Sequence, residues 1–161
     1  MSVEPQIEPI TTQEIAQILD LKWSVFAPYY SNRAECDQYT MANVDWSLSV
    51  KLTLDHRIVG MYLLEPEPVS SAIQQEGITT IYEGLEKYRT QRGLHGVTLA
   101  IDETFRGRGW GNRLKDYATT LGYDYWWAVA FKDLGNLRDW QKRARLVGEN
   151  HELYLLLEDY T

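Results

Sequence analysis

The first third of the chain carries two clear patterns of apolar and polar residues. A capping box, Thr-Thr-Gln-Glu at residues 11–14, precedes apolar residues at helical spacing, which predicts a helix over residues 15–27. Residues 45–55 alternate between apolar and polar, which predicts a strand with one buried face, and residues 58–64 fit the returning strand of a hairpin. A short strand over residues 6–10 comes before all of these.

The second half of the chain continues with strands and helices in alternation. An apolar, β-branched run at residues 97–101 predicts a strand, and the helical spacing of residues 110–121 predicts the helix that follows it. Residues 123–131 are almost continuously apolar, which is typical of a strand covered on both faces. We expect a last helix over residues 137–147 and one closing strand over residues 151–158.

Residues 66–95 form an insertion between the third and fourth predicted strands. Apolar residues recur in it with a helical period and predict a helix: Ile78, Ile81, Tyr82, Leu85 and Tyr88. Three roles are open for this helix, namely a lid over a substrate cleft, a contact with a second subunit, or packing on its own sheet. The whole pattern predicts an α/β (α+β) fold in one domain over residues 1–161, with helices flanking a mixed central sheet of about six strands.

Composition narrows the classes of function. The chain has 161 residues, of which 44% are hydrophobic, enough for one buried core. Its net charge of −7 argues against a general nucleic-acid binder, because such proteins need a broad basic face. The single cysteine, Cys36, forms no internal disulfide and supplies no zinc cluster, so we expect no metal. Neither a signal-like segment nor a membrane-spanning run is evident, and we expect a cytoplasmic protein that does not bind membranes.

A glycine-spaced basic segment joins the strand at residues 97–101 to the helix at residues 110–121. Its core is Arg106-Gly107-Arg108-Gly109-Trp110-Gly111. The first amides of a helix lack internal partners and the helix dipole favours negative charge there, so this junction predicts an anion site. Arginine side chains suit phosphate oxygens. The spacing fits neither the dinucleotide pattern Gly-x-Gly-x-x-Gly nor a P-loop, which needs Gly-Lys-Ser/Thr.

The same residues resemble the acetyl-CoA motif of the Gcn5-related N-acetyltransferase (GNAT) family, Arg/Gln-x-x-Gly-x-Gly/Ala. The approach at residues 101–105, Ile-Asp-Glu-Thr-Phe, is similar to the family's hydrophobic-Asp-Pro-x-aromatic lead-in. This resemblance implies a GNAT-like fold, acetyl-CoA as the co-substrate, and transfer of the acetyl group to a primary amine of a small molecule or peptide by direct attack in a ternary complex.

The resemblance also implies which residues hold the coenzyme. The pyrophosphate loop maps onto Arg106, Gly107, Arg108, Gly109, Trp110, Gly111 and Asn112. In the family the motif strand and the next strand splay apart, and main-chain groups of the motif strand, here Leu99 and Ile101, pair with the pantetheine arm. Asn136 resembles a family residue that contacts CoA, although it also fits the N-cap of a helix.

The residues that would transfer protons are less defined. Many family members use a tyrosine on the last helix as the acid, but residues 140–145 contain none, so Tyr154 or Tyr125 would replace it. Candidate bases are Glu65, Asp102, Glu103 and His95, while an ordered water is an alternative and the two carboxylates at the strand end also suit turn capping. Residues 29–41 predict a polar, aromatic loop with helical turns. Its tyrosines either line the acceptor pocket or pack the loop onto the core: Tyr29, Tyr30 and Tyr39.

Two further readings stay open at this point. The missing tyrosine is compatible with a CoA-binding or acyl-CoA-binding protein of the same fold without transferase activity. A third class, an interaction domain without cofactor, requires the glycine motif to be accidental. A single closing strand would leave a sheet edge that a second copy could complete, so a homodimer is a possible assembly.

Overall fold

The computed structural model describes residues 4–160 of the chain. Eight strands lie within this range: β1 Gln6–Pro9, β2 Val50–Leu54, β3 Arg57–Pro66, β4 Thr80–Ile81, β5 Gly93–Ile101, β6 Tyr125–Phe131, β7 Arg145–Glu149 and β8 Leu153–Asp159. The α-helices in the same range are α1 Ile15–Phe26, α2 Arg33–Asn43, α3 Ser70–Gln74, α4 Trp110–Thr119 and α5 Leu137–Trp140.

The strands form one mixed sheet in the order β1-β2-β3-β5-β6-β8-β7-β4. Strands β5 and β6 are parallel, whereas β1-β2, β2-β3, β6-β8, β8-β7 and β7-β4 are antiparallel. The predicted mixed sheet flanked by helices is confirmed, with eight strands instead of about six. No helix within residues 4–160 is both long enough and apolar enough to cross a membrane.

The chain is organised in two compact units. The first contains the described residues up to Glu65 together with Val97–Leu121. Its core is formed by buried side chains of α1, β3, β5 and the residue after α2: Ile18, Val44, Met61, Leu63 and Ala100. The predicted capping box is present, because the Glu14 carboxylate accepts from the Thr11 amide at 2.9 Å, and a 3-10 turn at Thr12–Glu14 leads into α1.

The prediction of one strand over residues 45–55 is wrong at its start. Asp45 folds the chain into a turn, since its carboxylate accepts from the Ser47 amide at 3.0 Å and its carbonyl from the Ser49 amide at 3.1 Å. Strand β2 therefore begins at Val50. Both of its faces are covered, because the buried Lys51 and Thr53 side chains bind acidic residues, so the expected exposed face is also absent from β2.

Helix α2 occupies most of the segment from Tyr29 to Met41, where we predicted a loop with helical turns. Asn32 caps it, because its side-chain oxygen accepts from the Glu35 amide at 2.9 Å. An Asn followed three residues later by Glu is a recognised start signal for a helix. That signal was available in the sequence.

The second unit contains Pro66–Gly96 and the described residues from Gly122 onward. Its core joins the insertion to the last strands and includes Val69, Ala72, Ile78, Tyr88, Tyr125, Trp127, Val147, Leu155 and Leu157. Gly96 has no room for a side chain, because a Cβ on it would lie 2.5 Å from the Trp126 indole nitrogen.

The predicted helix through Ile78 and Tyr88 is wrong. The insertion instead forms the five-residue α3, the two-residue β4 and a 3-10 turn at Glu86–Thr90. Gly77 adopts a left-handed φ of 69°, which ends the helical course before Ile78. Ile78 and Tyr88 are buried whereas Tyr82 is 55% exposed, so the apolar residues do not share one face.

The predicted closing strand is confirmed as β8, but the predicted helix over residues 137–147 is wrong beyond Trp140, and two strands follow it instead of one. Helix α5 ends at Trp140, and β7 and β8 form an antiparallel pair in which Leu146 lies opposite Leu156 and Glu149 opposite Tyr154. This pairing buries Val147 in the core of the second unit. Tertiary strand pairing overrides the helical spacing of the residues that follow α5.

Candidate functional site

The site begins where β5 ends. The Asp102 amide donates to the Val59 carbonyl at 2.8 Å, which ties the strand end to β3. The Asp102 carboxylate accepts from the Thr104 amide at 3.0 Å and forms an ion pair with Arg57 at 3.6 Å. Asp102 therefore caps the turn, as the sequence suggested for a carboxylate at this position.

Three glycines leave the segment from the end of β5 into the first turn of α4 without side chains at their positions: Gly107, Gly109 and Gly111. Gly107 and Gly109 have φ angles of 80° and 79°, a left-handed conformation that glycine adopts without steric cost, and Gly109 is the N-cap of α4. A Cβ built on Gly107, Gly109 or Gly111 would meet no heavy atom within 4 Å. Packing within the chain therefore does not require a glycine at position 111, in the first turn of α4.

Two arginines border this loop in different ways. Arg106 Nε donates to the Ile101 carbonyl at 3.1 Å, so its side chain folds back over the strand end. The Arg108 guanidinium lies 5.2 Å from the centre of the Phe105 ring and 5.3 Å from that of Trp110, within cation–π range. The two rings stack with centroids 5.7 Å apart. The aromatic pair thus holds a cation beside the start of α4.

This arrangement is chemically suited to an anion. The first amides of α4 lack partners within the helix, the helix dipole places partial positive charge there, and two guanidinium groups are adjacent. Trp110 is only 8% exposed and contributes packing, and Asn112 lies in the same first turn. Local positive charge is therefore concentrated at this junction of a chain whose net charge is −7.

Leu99 and Ile101 lie on the part of β5 that precedes the loop. Within the described residues, the ladder between β5 and β6 pairs Gly93, Leu94 and His95 with Tyr125, Trp126 and Trp127. The main-chain groups of Leu99 and Ile101 lie outside that ladder. One of them, the Ile101 carbonyl, accepts from Arg106 Nε.

Asn136 occupies the N-cap position of the four-residue α5, but its side chain makes no capping hydrogen bond. The expected capping contact is therefore wrong, because the first turn of α5 is held by the main chain, with the Asp139 amide donating to the Asn136 carbonyl at 3.1 Å. Its contact with CoA stays a prediction.

The two candidate tyrosines have different surroundings in the second unit. Tyr125 is fully buried, and its hydroxyl oxygen accepts from the Val69 amide at 2.9 Å. Burial raises the pKa of the Tyr125 hydroxyl. Tyr154 on β8 is partly buried, and the Lys132 ammonium lies 5.1 Å from the centre of its ring.

The candidate bases have different surroundings. Glu65, near the end of β3, is 5% exposed and accepts a hydrogen bond from the Tyr39 hydroxyl. His95 on β5 is buried and stacks on Trp127 with ring centroids 3.9 Å apart. Glu103 lies in the 3-10 turn that follows Asp102. Tyr39 and Glu65 were each candidates from the sequence, for different roles. Nothing in the sequence indicated that they form a hydrogen bond, because 26 residues separate them.

Two other tyrosines and a lysine lie close to α2 in the first unit. Tyr29 ends the 3-10 turn that follows α1, and Tyr30 comes directly after it. The Lys22 ammonium lies 5.6 Å from the centre of the Tyr30 ring. Lys22 is a buried lysine that sequence reasoning missed, although it lies four residues after Ile18, at the spacing of the apolar stripe of α1. Within residues 4–160 no three His, Cys, Asp or Glu side chains are grouped so that they could hold a metal ion.

Several solved structures superpose on this chain over almost its whole length. A GNAT-family acetyltransferase from Streptococcus agalactiae superposes with a TM-score of 0.70 at 17% identity, covering 96% of this chain and 95% of that one. A GNAT-family acetyltransferase from Elizabethkingia anophelis, solved with acetyl-CoA bound, gives 0.65 at 17% identity, covering 97% and 98%. Arabidopsis thaliana Naa50, solved with a bisubstrate analogue, gives 0.65 at 12% identity, covering 98% and 99%.

Sequence comparison adds no relative to these. No family profile matches the chain. No curated protein matches it either. The similarity is therefore carried by the fold, and it extends over nearly the full length of this chain and of the three neighbours. The chain has the fold of the GNAT acetyltransferases.

Proposed function

We propose that this protein is a GNAT-family N-acetyltransferase that uses acetyl-CoA. The observation that carries the proposal is the bare glycine segment that leads into the first turn of α4, where a Cβ on Gly107, Gly109 or Gly111 would meet no heavy atom within 4 Å. A surface that avoids side chains at the N-terminus of a helix suits the close approach of a pyrophosphate. The fold places this loop after a sheet strand, as the motif requires.

The coenzyme contacts follow from this assignment. The pyrophosphate binds along residues 106–112, where main-chain amides and the Arg106 and Arg108 guanidinium groups supply donors. Main-chain groups of Leu99 and Ile101, which lie outside the β5-β6 ladder, pair with the pantetheine arm. By the same resemblance, Asn136 is a further candidate contact of the coenzyme. No metal takes part in this proposal.

The reaction joins an amine to the acetyl group in a ternary complex. The amine nitrogen attacks the thioester carbonyl carbon, the carbon–sulfur bond breaks, and the amide product carries one proton fewer than the attacking amine. The CoA thiolate takes up a proton. We assign proton removal to Glu65 and protonation of the thiolate to Tyr154. Tyr125 has no role in this scheme because it is fully buried and its hydroxyl is engaged by Val69.

A CoA-binding protein of this fold without transferase activity is the second candidate. The absence of tyrosine from residues 140–145 favours it, because that is where many family members carry the acid. Free-thiol release from acetyl-CoA in the presence of polyamines, aminoglycosides, amino acids and peptide amines separates the two functions. Release that depends on an acceptor supports the transferase, whereas binding of acetyl-CoA without release by any acceptor supports the second candidate.

The identity of the amine acceptor is left general in this proposal. Acceptor pockets are commonly built from loops, which vary most within a fold. A cytoplasmic location and a homodimer stay predictions from the sequence.

A further inference from the structure

A third arginine lies beside the glycine loop, on a different strand. Arg57 is the first residue of β3 and pairs with Leu54 across the hairpin from β2. The Asp102 amide donates to the Val59 carbonyl, so the end of β5 lies against the start of β3. Arg57 therefore comes close to the loop although it is distant in the sequence. The proposed coenzyme contacts do not include it.

The Phe105 ring brings the guanidinium group of Arg57 close to that of Arg108. The two guanidinium carbons lie 5.5 and 5.2 Å from the centre of this one ring, both within cation–π range. The ring is itself stacked on Trp110 at the start of α4. Two positive charges from separate segments are thus held around one aromatic ring. Because like charges repel, this arrangement favours a bound anion.

The ion pair between Arg57 and Asp102 does not use up the N–H donors of the arginine. Arg57 Nη2 and Asp102 Oδ2 are 3.6 Å apart, which is beyond hydrogen-bond distance. The Arg57 side chain is 65% exposed, and ion pairs at exposed sites contribute little to stability. A phosphate group accepts two parallel N–H bonds from a guanidinium group, so it can replace Asp102 as the partner of Arg57.

Coenzyme A carries a pyrophosphate and, in addition, a phosphate on the 3′ oxygen of its ribose. The proposed function assigns the pyrophosphate to the loop with Arg106 and Arg108. We propose that Arg57 binds the 3′-phosphate, so that this protein selects 3′-phosphorylated coenzymes over their dephosphorylated forms. The inference rests on the proposed function and adds a specificity-determining residue to it. Because the ribose links the two groups, the 3′-phosphate needs a cation near the loop but outside it, and Arg57 meets that need.

The experiment compares wild type with Arg57→Gln, Arg57→Lys and a matched control, Arg92→Gln. Arg92 also holds its guanidinium group near an aromatic ring, 4.7 Å from the centre of Tyr123, but in the second unit. Isothermal titration measures the affinity of each protein for acetyl-CoA and for 3′-dephospho-acetyl-CoA, at low and at high salt. Thermal melting checks that every variant is folded.

We expect wild type to bind acetyl-CoA roughly ten-fold more tightly than the dephosphorylated form, because hydrogen bonds between charged groups are strong but partly screened at an exposed site. Arg57→Gln should lose this preference through weaker binding of acetyl-CoA alone. Arg57→Lys should retain part of it, since lysine keeps the charge without the bidentate geometry. Arg92→Gln should match wild type. High salt should reduce the preference of wild type.

Three results would overturn the inference. The first is a wild-type protein that binds the two coenzymes equally well. The second is a folded Arg57→Gln variant that keeps the wild-type preference. The third is an Arg57→Gln variant that loses affinity for both coenzymes by the same factor, because Arg57 would then only support the loop through Asp102 and Phe105. Failure of wild type to bind either coenzyme is a separate result, which would overturn the proposed function itself.

Discussion

Gly111 is the residue at which stability and the proposed function make opposite demands. It lies in the first turn of α4, does not have a positive φ, and a Cβ on it would meet no atom within 4 Å. Alanine is the better helix former by about 1 kcal/mol. Packing therefore gives no reason for a glycine at position 111, whereas the proposed approach of the pyrophosphate does.

The first prediction follows directly. Gly111→Ala should raise the free energy of unfolding by up to about 1 kcal/mol while it weakens acetyl-CoA binding, because the added methyl group displaces the pyrophosphate from the amides. Thermal melting and isothermal titration measure the two effects. Gly84→Ala is the matched control, since a Cβ there also meets nothing within 4 Å and the residue lies outside the loop. Unchanged affinity in Gly111→Ala would show that the anion binds elsewhere.

Glu14 gives the first unit a pH-dependent contribution to stability. Its hydrogen bond with Lys51, followed by that with the Thr11 amide, lowers the pKa of Glu14 to about 2 from an ordinary value of 4.5. Because the pKa is lower in the folded state, this contribution is fully present above pH 4.5 and is lost as the pH falls towards 2.

The second prediction concerns Glu14→Gln. The variant should be less stable than wild type by about 1–3 kcal/mol at neutral pH, a range that allows for solvent screening of a partly exposed pair. The difference should shrink as the pH falls through the window in which the wild-type carboxylate takes up a proton. Urea unfolding at a series of pH values measures it. A difference that is independent of pH would mean that packing, and not charge, accounts for the loss.

Among the elements, the helix and the two strands nearest to the glycine loop in the sequence were predicted well. Helix α4 begins at Trp110 as its stripe indicated, and β5 and β6 overlap the apolar runs predicted for them. The predictions failed for the insertion and for the residues after α5. There, apolar residues at helical spacing serve strands and turns, because Gly77 and the β7-β8 pairing decide the backbone course. The spacing of apolar residues alone reveals neither the turn at Gly77 nor the pairing of β7 with β8.

The hairpin between β2 and β3 contains two strained residues. Asp55 and His56 have positive φ angles of 49° and 64°. A two-residue hairpin turn with positive φ at both positions strongly prefers Asn-Gly or Asp-Gly. The sequence supplies the aspartate but places a histidine where glycine is the preferred residue.

The third prediction uses this turn. His56→Gly should raise the free energy of unfolding by about 0.5–1 kcal/mol, because relief of the left-handed strain outweighs the added flexibility of the unfolded chain. His56→Ala should give no gain, since it removes the imidazole and keeps the Cβ that causes the strain. Chemical denaturation of the three proteins provides the comparison. Equal stabilisation by both substitutions would attribute the effect to loss of the imidazole.

For the whole molecule, the fold class and the position of the glycine loop could be predicted from the sequence, while the surroundings of the candidate catalytic residues could not. The loop is contiguous, so the spacing of Gly107, Gly109 and Gly111 is visible directly. The hydrogen bond from Tyr39 to Glu65, and the burial of Lys22 that holds α2, exist only because distant segments fold together. Side chains that meet in this way leave no periodic signal.

The distribution of charge over the whole molecule agrees with the two proposed ligands. Arg106 and Arg108 concentrate positive charge at one strand-to-helix junction, although the chain carries a net charge of −7. The proposed coenzyme is anionic and the proposed acceptor is cationic. A locally basic loop on an acidic protein suits both ligands, since each is drawn to a region of opposite charge.

Isothermal titration of acetyl-CoA tests the central claim most directly, with wild type, Gly109→Glu and Gly109→Asn compared. Gly109 has a left-handed φ of 79°, and asparagine tolerates this conformation better than most residues, so Gly109→Asn controls for backbone strain. We predict sub-millimolar binding to one site on wild type, weaker binding to a folded Gly109→Asn, and no binding to Gly109→Glu, where bulk and negative charge face the pyrophosphate. Absence of binding to wild type, or wild-type affinity in a folded Gly109→Glu, would contradict the assignment of this loop to acetyl-CoA.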